Sequence, residues 1–314
     1  MPDKPLVSIA IPVYNQAEYV AASVESVLSQ NYPNVELIVL DDGSTDATCE
    51  VLARYADRCR VESHSNVGQA ATLNRGWGRA RGDILSYLAA DDTLAPEAVS
   101  KAVRALLAHP DVVMTYGDFD LIDPSSRFIR RVRAPEYDYH ALAVDLICLP
   151  GPGVFIRRTA LEAAGPWNAN LRQVPDFEYW LRLGLQGPFL HVPEVLASYR
   201  VHDDSPSFSP VSAARAEEPV VAVSAFYATG SLPDGIAAER DHALSNAHVL
   251  TARLHLRSAR VGATFKHLGE AFRLWPANFV RWRTIRLLMN AIVNRTGHRL
   301  FWHLNRVRVA TNRR

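Results

Sequence analysis

Cysteine is scarce in this 314-residue chain, which holds only Cys49, Cys59 and Cys148. Three cysteines at this spacing fit neither a disulfide framework nor the paired Cys/His ligands of a zinc site, so a reducing compartment is expected. Long apolar runs are also missing, since none approaches the roughly 18 residues of a transmembrane helix. The opening residues carry an acid early and only a short apolar stretch, unlike a signal peptide. We therefore expect a cytoplasmic protein.

The glycine motifs of common nucleotide sites are missing as well. The first apolar run ends in PVYNQAEY, which lacks the glycines of a dinucleotide-binding turn. The Gly-Lys-Ser/Thr of a P-loop is absent from the chain. A nucleotidyl transferase would carry a basic, glycine-rich segment after the first strand, and the sequence has none there. These three classes are disfavoured.

Acidic residues are nearly absent from the C-terminal part of the chain. From Arg253 to Arg314 there are fourteen Lys or Arg residues and one acid, Glu270, whereas the rest holds 20 basic and 32 acidic residues. The formal net charge of +1 hides this division. An acidic body with a basic tail suggests a polyanionic surface as the partner of the tail, either a membrane or a nucleic acid.

Strand-like and helix-like patterns alternate through the first 120 residues. The apolar runs typical of buried strands are Leu6–Val13, Val35–Leu40, Asp83–Leu88 and Val112–Tyr116, with a weaker one around Val61. The helical patterns between them are 18–30, about 46–55, from about 69, and 96–109. This alternation with short connections predicts an α/β fold with a doubly wound, mostly parallel sheet.

Three polar clusters follow strands of the predicted sheet: PVYN after the first, DDGSTD after the second and AADD after the fourth. In doubly wound sheets ligands bind beyond the carboxyl ends of the strands. The pattern therefore predicts a small-molecule site with up to four acids on one rim.

The adjacent carboxylates Asp91 and Asp92 need a proton or a cation between them if they are partly buried. A nucleoside-diphosphate sugar fits such a rim, because a divalent cation held by carboxylate oxygens would bridge to its diphosphate. A single Asp-Asp in a turn is usually a helix cap or a solvated loop. The repetition of polar clusters at three strand ends favours the ligand site.

The segments that carry these clusters resemble family 2 glycosyltransferases, which have the GT-A fold. The resemblance covers roughly Leu6 to His202. It rests on VSIAIPVYNQAEYVAASVESVLSQNYPNVELIVLDDGSTDAT, NVGQAATLNRGWGRARGDILSYLAADDTLAP, GPWNANLRQVPDFEYWLRL and YRVH. It implies a GT-A fold, to which the helical patterns and basic charge of the remaining residues add a helical, basic C-terminal extension.

The resemblance also implies roles in donor binding. Pro12, Tyr14 and Asp42 would line the pocket for the nucleoside base. Asp91 would face the ribose or the diphosphate, and Asp92 would ligate Mn²⁺ or Mg²⁺. The segment has Ala89 where many relatives carry Asp or Asn, which leaves the acidic pair without a third polar group.

Asp176 would be the general base, which deprotonates the acceptor hydroxyl for a single displacement that inverts the anomeric centre. The sequence reads Pro175 where Glu is common in the family, and Glu178 is the reserve candidate for the base. His202, if it folds back over the site, would be a further metal ligand or would touch the diphosphate. A lone His after a strand is more often structural.

Other residues of these segments have plainer interpretations. Phe177, Trp180 and Leu181 lie on a predicted helix, where core packing is their expected role. Asp118 and Asp120, past the fifth strand, are alternatives for the acceptor side of the site.

The predicted organisation is a GT-A domain over 1–205 and a helical region over 206–314 that is basic from about residue 253. The nucleotide-sugar half of the domain is expected at about 1–120 and the acceptor half at about 121–205. Residues 203–219 are rich in Ser, Pro and acids and predict a surface connection.

In the tail, Arg alternates with Trp, Leu and Ile at helical spacing from Asn278 onward. Such a helix lies on an anionic membrane or packs on the domain with a solvated basic face, and the two alternatives stand equal. Nucleic acid fits less well, because the sequence has no recognised nucleic-acid motif and the main body is acidic.

The predicted function is an inverting, metal-dependent transferase that moves a sugar from a nucleoside-diphosphate sugar to a glycan or lipid-linked acceptor, in cell-surface polysaccharide synthesis at the inner membrane face. The alternative is a non-catalytic nucleotide-sugar-binding or membrane-associated assembly protein. A processive synthase is disfavoured, because Gln-x-x-Arg-Trp and membrane spans are missing from the sequence.

Overall fold

The computed structural model describes residues 4–148, 150–202 and 211–291. Contacts divide these residues into two units. The first contains the described residues up to Leu142 and those from Ile147 to His202, and the second contains Ala143–Leu146 and 211–291.

The first unit is built on a nine-stranded sheet with the order β3-β2-β1-β4-β8-β6-β9-β5, in which β7 pairs with β6. The strands are β1 Val7–Val13, β2 Val35–Asp41, β3 Arg60–Ser63, β4 Ile84–Tyr87, β5 Thr93–Leu94, β6 Met114–Ile122, β7 Phe128–Val132, β8 Phe155–Arg157 and β9 Phe189–Arg200.

The strands that begin the chain are parallel, as the sequence predicted. In the register of β1 with β2, Val13 lies opposite Asp41, and in the register of β1 with β4, Ala10 lies opposite Tyr87. The carboxyl ends of these strands therefore meet at one edge. The sheet becomes mixed beyond β4, because β8 pairs antiparallel with both β4 and β6.

The helices that begin in this unit are α1 Val20–Leu28, α2 Thr48–Ala53, α3 Gln69–Arg79, α4 Ala98–Ala108, α5 Tyr139–Ala143, α6 Arg158–Ala164 and α7 Pro175–Leu183. The helices α1, α3, α4 and α6 pack on strands of the sheet. Every residue of β1 is buried, which explains its near-continuous apolar run. Glycine brings α3 close to the sheet, since a Cβ at Gly76 would lie 2.7 Å from Leu40 Cδ1.

The fifth predicted strand is displaced in the structure. It begins at Met114 rather than at residue 112 and extends to Ile122. Its partner β9, twelve residues long, was not predicted. Pro193 interrupts the apolar pattern of that segment, and the β6–β9 register shifts between Gly117 and Phe119.

The second unit is helical: α8 Ala213–Tyr227, α9 Asp234–Ala237, α10 Arg240–Arg257, α11 Val261–Leu274 and a 3₁₀ helix Pro276–Val280, followed by helical residues 282–291. The predicted surface connection over 203–219 was wrong at its end, because α8 begins at Ala213. The start of α8 is stabilised by Ser212, whose Oγ accepts the Arg215 N–H at 3.3 Å.

No helix among the described residues is long and apolar enough to cross a membrane. Residues 203–210, in the predicted connection, and 292–314, in the predicted basic tail, lie outside the described part of the chain.

Candidate functional site

The loops after β1 and β2 are joined at the carboxyl edge of the sheet. Asn15 N–H donates to Ser44 Oγ at 2.9 Å, and Asn15 Oδ1 accepts the Thr45 N–H at 2.8 Å. Gly43, with a φ of 74°, makes the turn after β2, where a Cβ would meet Asn66 N at 2.8 Å. The polar clusters PVYN and DDGSTD therefore form one continuous rim.

Asp42 lies on this rim and is buried. Its two carboxylate oxygens accept the N–H groups of Val67 at 2.6 Å and Gly68 at 2.8 Å. The other two predicted base-pocket residues lie on the neighbouring strand, where the Asp42 N–H donates to Val13 O at 2.8 Å: Pro12 is buried within β1, and Tyr14 follows the strand with 48% of its surface exposed. A carboxylate with two accepted N–H groups keeps lone pairs for another donor.

The loop that binds Asp42 also contacts Arg172, a residue to which the sequence assigned no role. Arg172 Nη2 donates to Val67 O at 3.0 Å. Gly68 has a φ of 91°, and a Cβ there would lie 1.4 Å from Arg172 Nη1. The guanidinium therefore occupies the space that the glycine leaves next to the rim.

Asp91 lies in the turn after β4, where the end of β9 reaches it. His202 Nε2 lies 2.9 Å from Asp91 Oδ2, and the His202 ring packs against Tyr19 at 5.2 Å. The Asp91 side chain is 20% exposed. The structure thus brings together two residues that are 111 positions apart in sequence.

Asp92 has different surroundings. It is 3% exposed, and its Oδ1 accepts the backbone N–H of Arg200 at 2.9 Å. Burial and the adjacent Asp91 charge raise the pKa of Asp92 well above its ordinary value, although the Arg200 N–H opposes this.

Arg200 fixes this turn, and sequence reasoning gave it no role. It is buried, and its Nε donates to Asp91 O at 2.9 Å. Its Nη1 donates to the main-chain oxygens of Asp123 and Pro124, each at 3.1 Å. A charged residue at the end of an apolar run, two positions before a His, was the available signal in YRVH.

The Asp91–His202 pair fits a divalent cation. A cation with octahedral ligands at about 2.1 Å sets neighbouring ligand atoms about 3 Å apart, close to the distance between Asp91 Oδ2 and His202 Nε2. Asp92, the predicted ligand, directs one oxygen to a backbone N–H instead. The second oxygen of Asp92 keeps its lone pairs, so both acids of the turn offer a carboxylate oxygen to a cation.

Asp176 lies in the first turn of α7, and its Oδ1 accepts the Phe177 N–H at 2.8 Å. Burial raises the pKa of Asp176, while the backbone N–H groups at the start of the helix lower it. Burial raises the pKa of Tyr87 well above its ordinary value, and the charges of Asp176 and Asp92 add to this increase. Asp176 and Asp92 therefore both act electrostatically on one hydroxyl at the end of β4.

The reserve base Glu178 is held in an ion pair. Arg182 Nε donates to Glu178 Oε1 at 2.7 Å, and Nη2 donates to Oε2 at 2.9 Å. Both oxygens of Glu178 are therefore directed to the Arg182 guanidinium in a two-point contact. The predicted core role of three neighbours on α7 is confirmed, since Phe177, Trp180 and Leu181 are buried.

The two acids considered for the acceptor side are both paired. Asp118 Oδ1 accepts the Ala134 N–H at 3.0 Å and lies 2.8 Å from His191 Nε2. Asp120 forms a two-point ion pair with Arg131, at 2.8 and 3.2 Å. These contacts hold β6, β7 and β9 together.

A second group of potential metal ligands lies in the helical unit. Glu217, His255 and His267 place their ligand atoms within 4.8 Å of one another. Glu217 Oε1 lies 2.9 Å from His255 Nε2 and 3.1 Å from His267 Nε2. Arg260 Nε donates to His255 Nδ1 at 2.7 Å.

Arg260 determines which nitrogen of His255 carries the proton, and so whether the Glu217 group can bind a metal. A neutral His255 that accepts a proton donor at Nδ1 carries its own proton on Nε2, which donates to Glu217. A metal-bound histidine instead donates its second ring N–H outward. The Glu217 group is therefore a hydrogen-bond network that joins α8, α10 and α11.

The sequence model of Glycosyl transferase family 2 matches residues 8–165. A glycosyltransferase of Rickettsia typhi is 31% identical over 208 residues, which are 63% of this chain and 65% of the relative. The chondroitin synthase of Pasteurella multocida is 30% identical over 207 residues, 65% of this chain and 21% of that protein. The chain thus matches less than two thirds of the length of these relatives.

Two solved structures share the fold. Residues 1–349 of S. aureus TarS in complex with UDP-GlcNAc superpose with a TM-score of 0.67 at 16% identity, covering 93% of this chain and 87% of TarS 1–349. The mannosyltransferase PcManGT from Pyrobaculum calidifontis, in complex with GDP-Man and Mn²⁺, gives a TM-score of 0.59 at 20% identity, over 95% and 88% of the chains. The predicted GT-A fold is confirmed.

Proposed function

Because this chain belongs to glycosyl transferase family 2, we propose that it transfers a sugar from a nucleoside-diphosphate sugar to an acceptor hydroxyl, with inversion at the anomeric carbon. The observation that carries the proposal is the Asp91–His202 pair at the same sheet edge as Asp42, with Asp176 in electrostatic reach of Tyr87. Strand-end acids that hold a cation and a buried carboxylate that accepts a proton are the two parts such a reaction needs.

The donor would lie along the rim formed by the loops after β1 and β2. Asp42 would accept hydrogen bonds from the base beside Tyr14 and Pro12. We propose Asp91, rather than the sequence-predicted Asp92, as the carboxylate ligand, and with His202 it would hold Mn²⁺ or Mg²⁺ against the diphosphate. When bound, the cation neutralises charge that develops on the leaving nucleoside diphosphate.

Asp176 would act as the base. The acceptor oxygen attacks the anomeric carbon, its proton passes to the Asp176 carboxylate, and the bond from that carbon to the diphosphate oxygen breaks. Burial raises the pKa of Asp176, which makes it a stronger proton acceptor than an exposed aspartate. One displacement at one face inverts the centre.

For the acceptor we propose a glycan or a lipid-linked glycan in cell-surface polysaccharide synthesis, with the protein in the cytoplasm at the inner face of the membrane. Support comes from the similarity to a chondroitin synthase.

The test is binding and hydrolysis of UDP-, dTDP- and GDP-sugars by the purified protein with Mn²⁺, Mg²⁺ or EDTA. We expect one donor class to bind only with a divalent cation and to be hydrolysed slowly without acceptor. Binding without turnover, unchanged by Asp176→Asn, would indicate the non-catalytic alternative. No binding of any donor under any metal condition would overturn the proposal.

A further inference from the structure

Exposed apolar side chains are concentrated in the helical unit. Of the thirteen large apolar residues exposed in the described part of the chain, seven lie between positions 261 and 289. They are Val261, Phe265, Phe272, Val280, Trp282, Ile285 and Met289. Isolated exposed apolar residues are normal on a protein surface, whereas a concentration of this kind marks a contact surface.

Three of these residues form one stripe on α11. Val261, Phe265 and Phe272 are four and seven positions apart, so they share one face of the helix. Phe265 is 69% exposed and Phe272 is 56% exposed. Two polar residues on another face, Thr264 and His267, are buried, which fixes the rotation of α11 and leaves the stripe outward.

The helical residues 282–291 repeat the pattern. Trp282, Ile285 and Met289 are three and four positions apart and exposed, and Trp282 is 68% exposed. Between the two helices, Val280 is 81% exposed. We call the seven residues of both helices and this junction the apolar surface.

Positive charge accompanies the apolar surface. From 261 to 291 the chain has one acid, Glu270, and five basic residues: Lys266, Arg273, Arg281, Arg283 and Arg286. Arg281 and Arg283 bind Asp145. The other three are exposed, although Arg273 also pairs with Glu270 at 2.8 Å.

We propose that the apolar surface binds an anionic phospholipid membrane, with α11 and residues 282–291 lying in the plane of the interface. Helices with an outward apolar stripe and neighbouring cations bind such surfaces through apolar burial and attraction to anionic headgroups. A two-fold contact with a second copy fits less well, because it would place the exposed basic residues of one copy against the same basic residues of the other. The inference does not depend on the transferase reaction.

The test is co-sedimentation of the full-length protein with phosphatidylcholine vesicles that contain or lack phosphatidylglycerol. We expect binding only to the anionic vesicles, weakened by salt. Phe265→Glu with Phe272→Glu should lower the partition coefficient by about tenfold or more, because it removes apolar burial and adds two negative charges. The matched control is Phe128→Glu with Ile129→Glu, an exposed apolar pair on β7, which should bind like the wild type.

Circular dichroism and thermal melting of both double variants establish that they fold. Equal binding to both vesicle types, or equal binding by the two double variants, would overturn the proposal. The proposal would also be overturned if the wild type did not bind vesicles and light scattering showed that it is a dimer, whereas Phe265→Glu with Phe272→Glu is a monomer. The apolar surface would then join two copies of the chain. Donor hydrolysis without vesicles should be unchanged in both variants.

Discussion

Two carboxylate–histidine groups in this protein use the same residue types for different ends. Asp91 and His202 meet at 2.9 Å at the carboxyl edge of the sheet, and Glu217 meets His255 at 2.9 Å within the helical unit. The difference lies in what stands beside each pair: a second, buried acid, Asp92, follows Asp91 in the chain, whereas the guanidinium of Arg260 lies against His255. His255 Nδ1 accepts a hydrogen bond from Arg260 Nε, which commits His255 Nε2 to donate to Glu217. Residue type and distance therefore do not define a metal site until the protons are assigned.

The largest expected effect comes from Asp176→Asn, which breaks the chemistry at the sheet edge without changing shape. We expect kcat to fall about 10³-fold, which corresponds to about 4 kcal/mol of activation free energy, because an amide cannot take up the proton of the acceptor hydroxyl. The measurement is transfer rate together with the donor Kd, which should stay within about twofold of wild type. Glu178→Gln is the control, and an equal loss there would transfer the role of base to Glu178.

The metal assignment is tested by two neighbouring variants, Asp91→Asn and Asp92→Asn. Asp91→Asn should weaken Mn²⁺-dependent donor binding by about 100-fold, since it removes a charged ligand beside His202. Asp92→Asn keeps an oxygen for the Arg200 N–H and should change that affinity by less than about fivefold. Titration calorimetry with and without Mn²⁺ measures both. The reverse order of the two effects would identify Asp92 as the ligand, as the sequence predicts.

The helical group predicts a loss of stability without loss of donor binding. Glu217→Ala leaves the buried His255 and His267 without their shared acceptor, which should lower the free energy of unfolding by about 1–3 kcal/mol. Thermal melting measures the loss. The Mn²⁺ dependence of donor binding should match wild type, and a changed metal requirement would show that Glu217 serves the metal after all.

The pH dependence of that stability follows from the same contacts. Burial alone would raise the pKa of Glu217, but hydrogen bonds and charge from His255 and His267 lower it overall. A carboxyl with a lowered folded pKa stabilises the fold above its unfolded pKa, and the gain is lost as the pH falls through the folded pKa. Melting temperature should therefore decline in acid more steeply for wild type than for Glu217→Gln.

The smallest expected effect is a gain. Because burial raises the pKa of Asp176, the fold loses stability as the pH rises from the unfolded pKa to the folded pKa, and the full loss remains above the folded pKa. Asp176→Asn should therefore melt slightly above wild type at neutral pH and at the same temperature below pH 4 (about the unfolded pKa). A lower melting temperature at neutral pH would mean that the charge is compensated by contacts in the first turn of α7.

Local pattern determined much of the first unit, because strands covered on both faces must be apolar and their polar ends must meet at one edge. The sequence therefore predicted β1, β2, β4 and the position of Asp91 and Asp92. It did not predict β9, because Pro193 obscures the strand pattern and the pairing with β6 joins segments far apart in the chain.

What only the tertiary structure decided is which groups face each other. The sequence supplied Asp91, Asp92 and His202 as candidates, but the pairing of Asp91 with His202, and of Asp92 with the Arg200 N–H, depends on β9 returning beside the turn. The outward stripe of α11 likewise depends on how α10 packs against it. Sequence spacing fixes the face of a helix that a residue occupies, whereas burial and hydrogen-bond partners are set by chain segments that meet only in the fold.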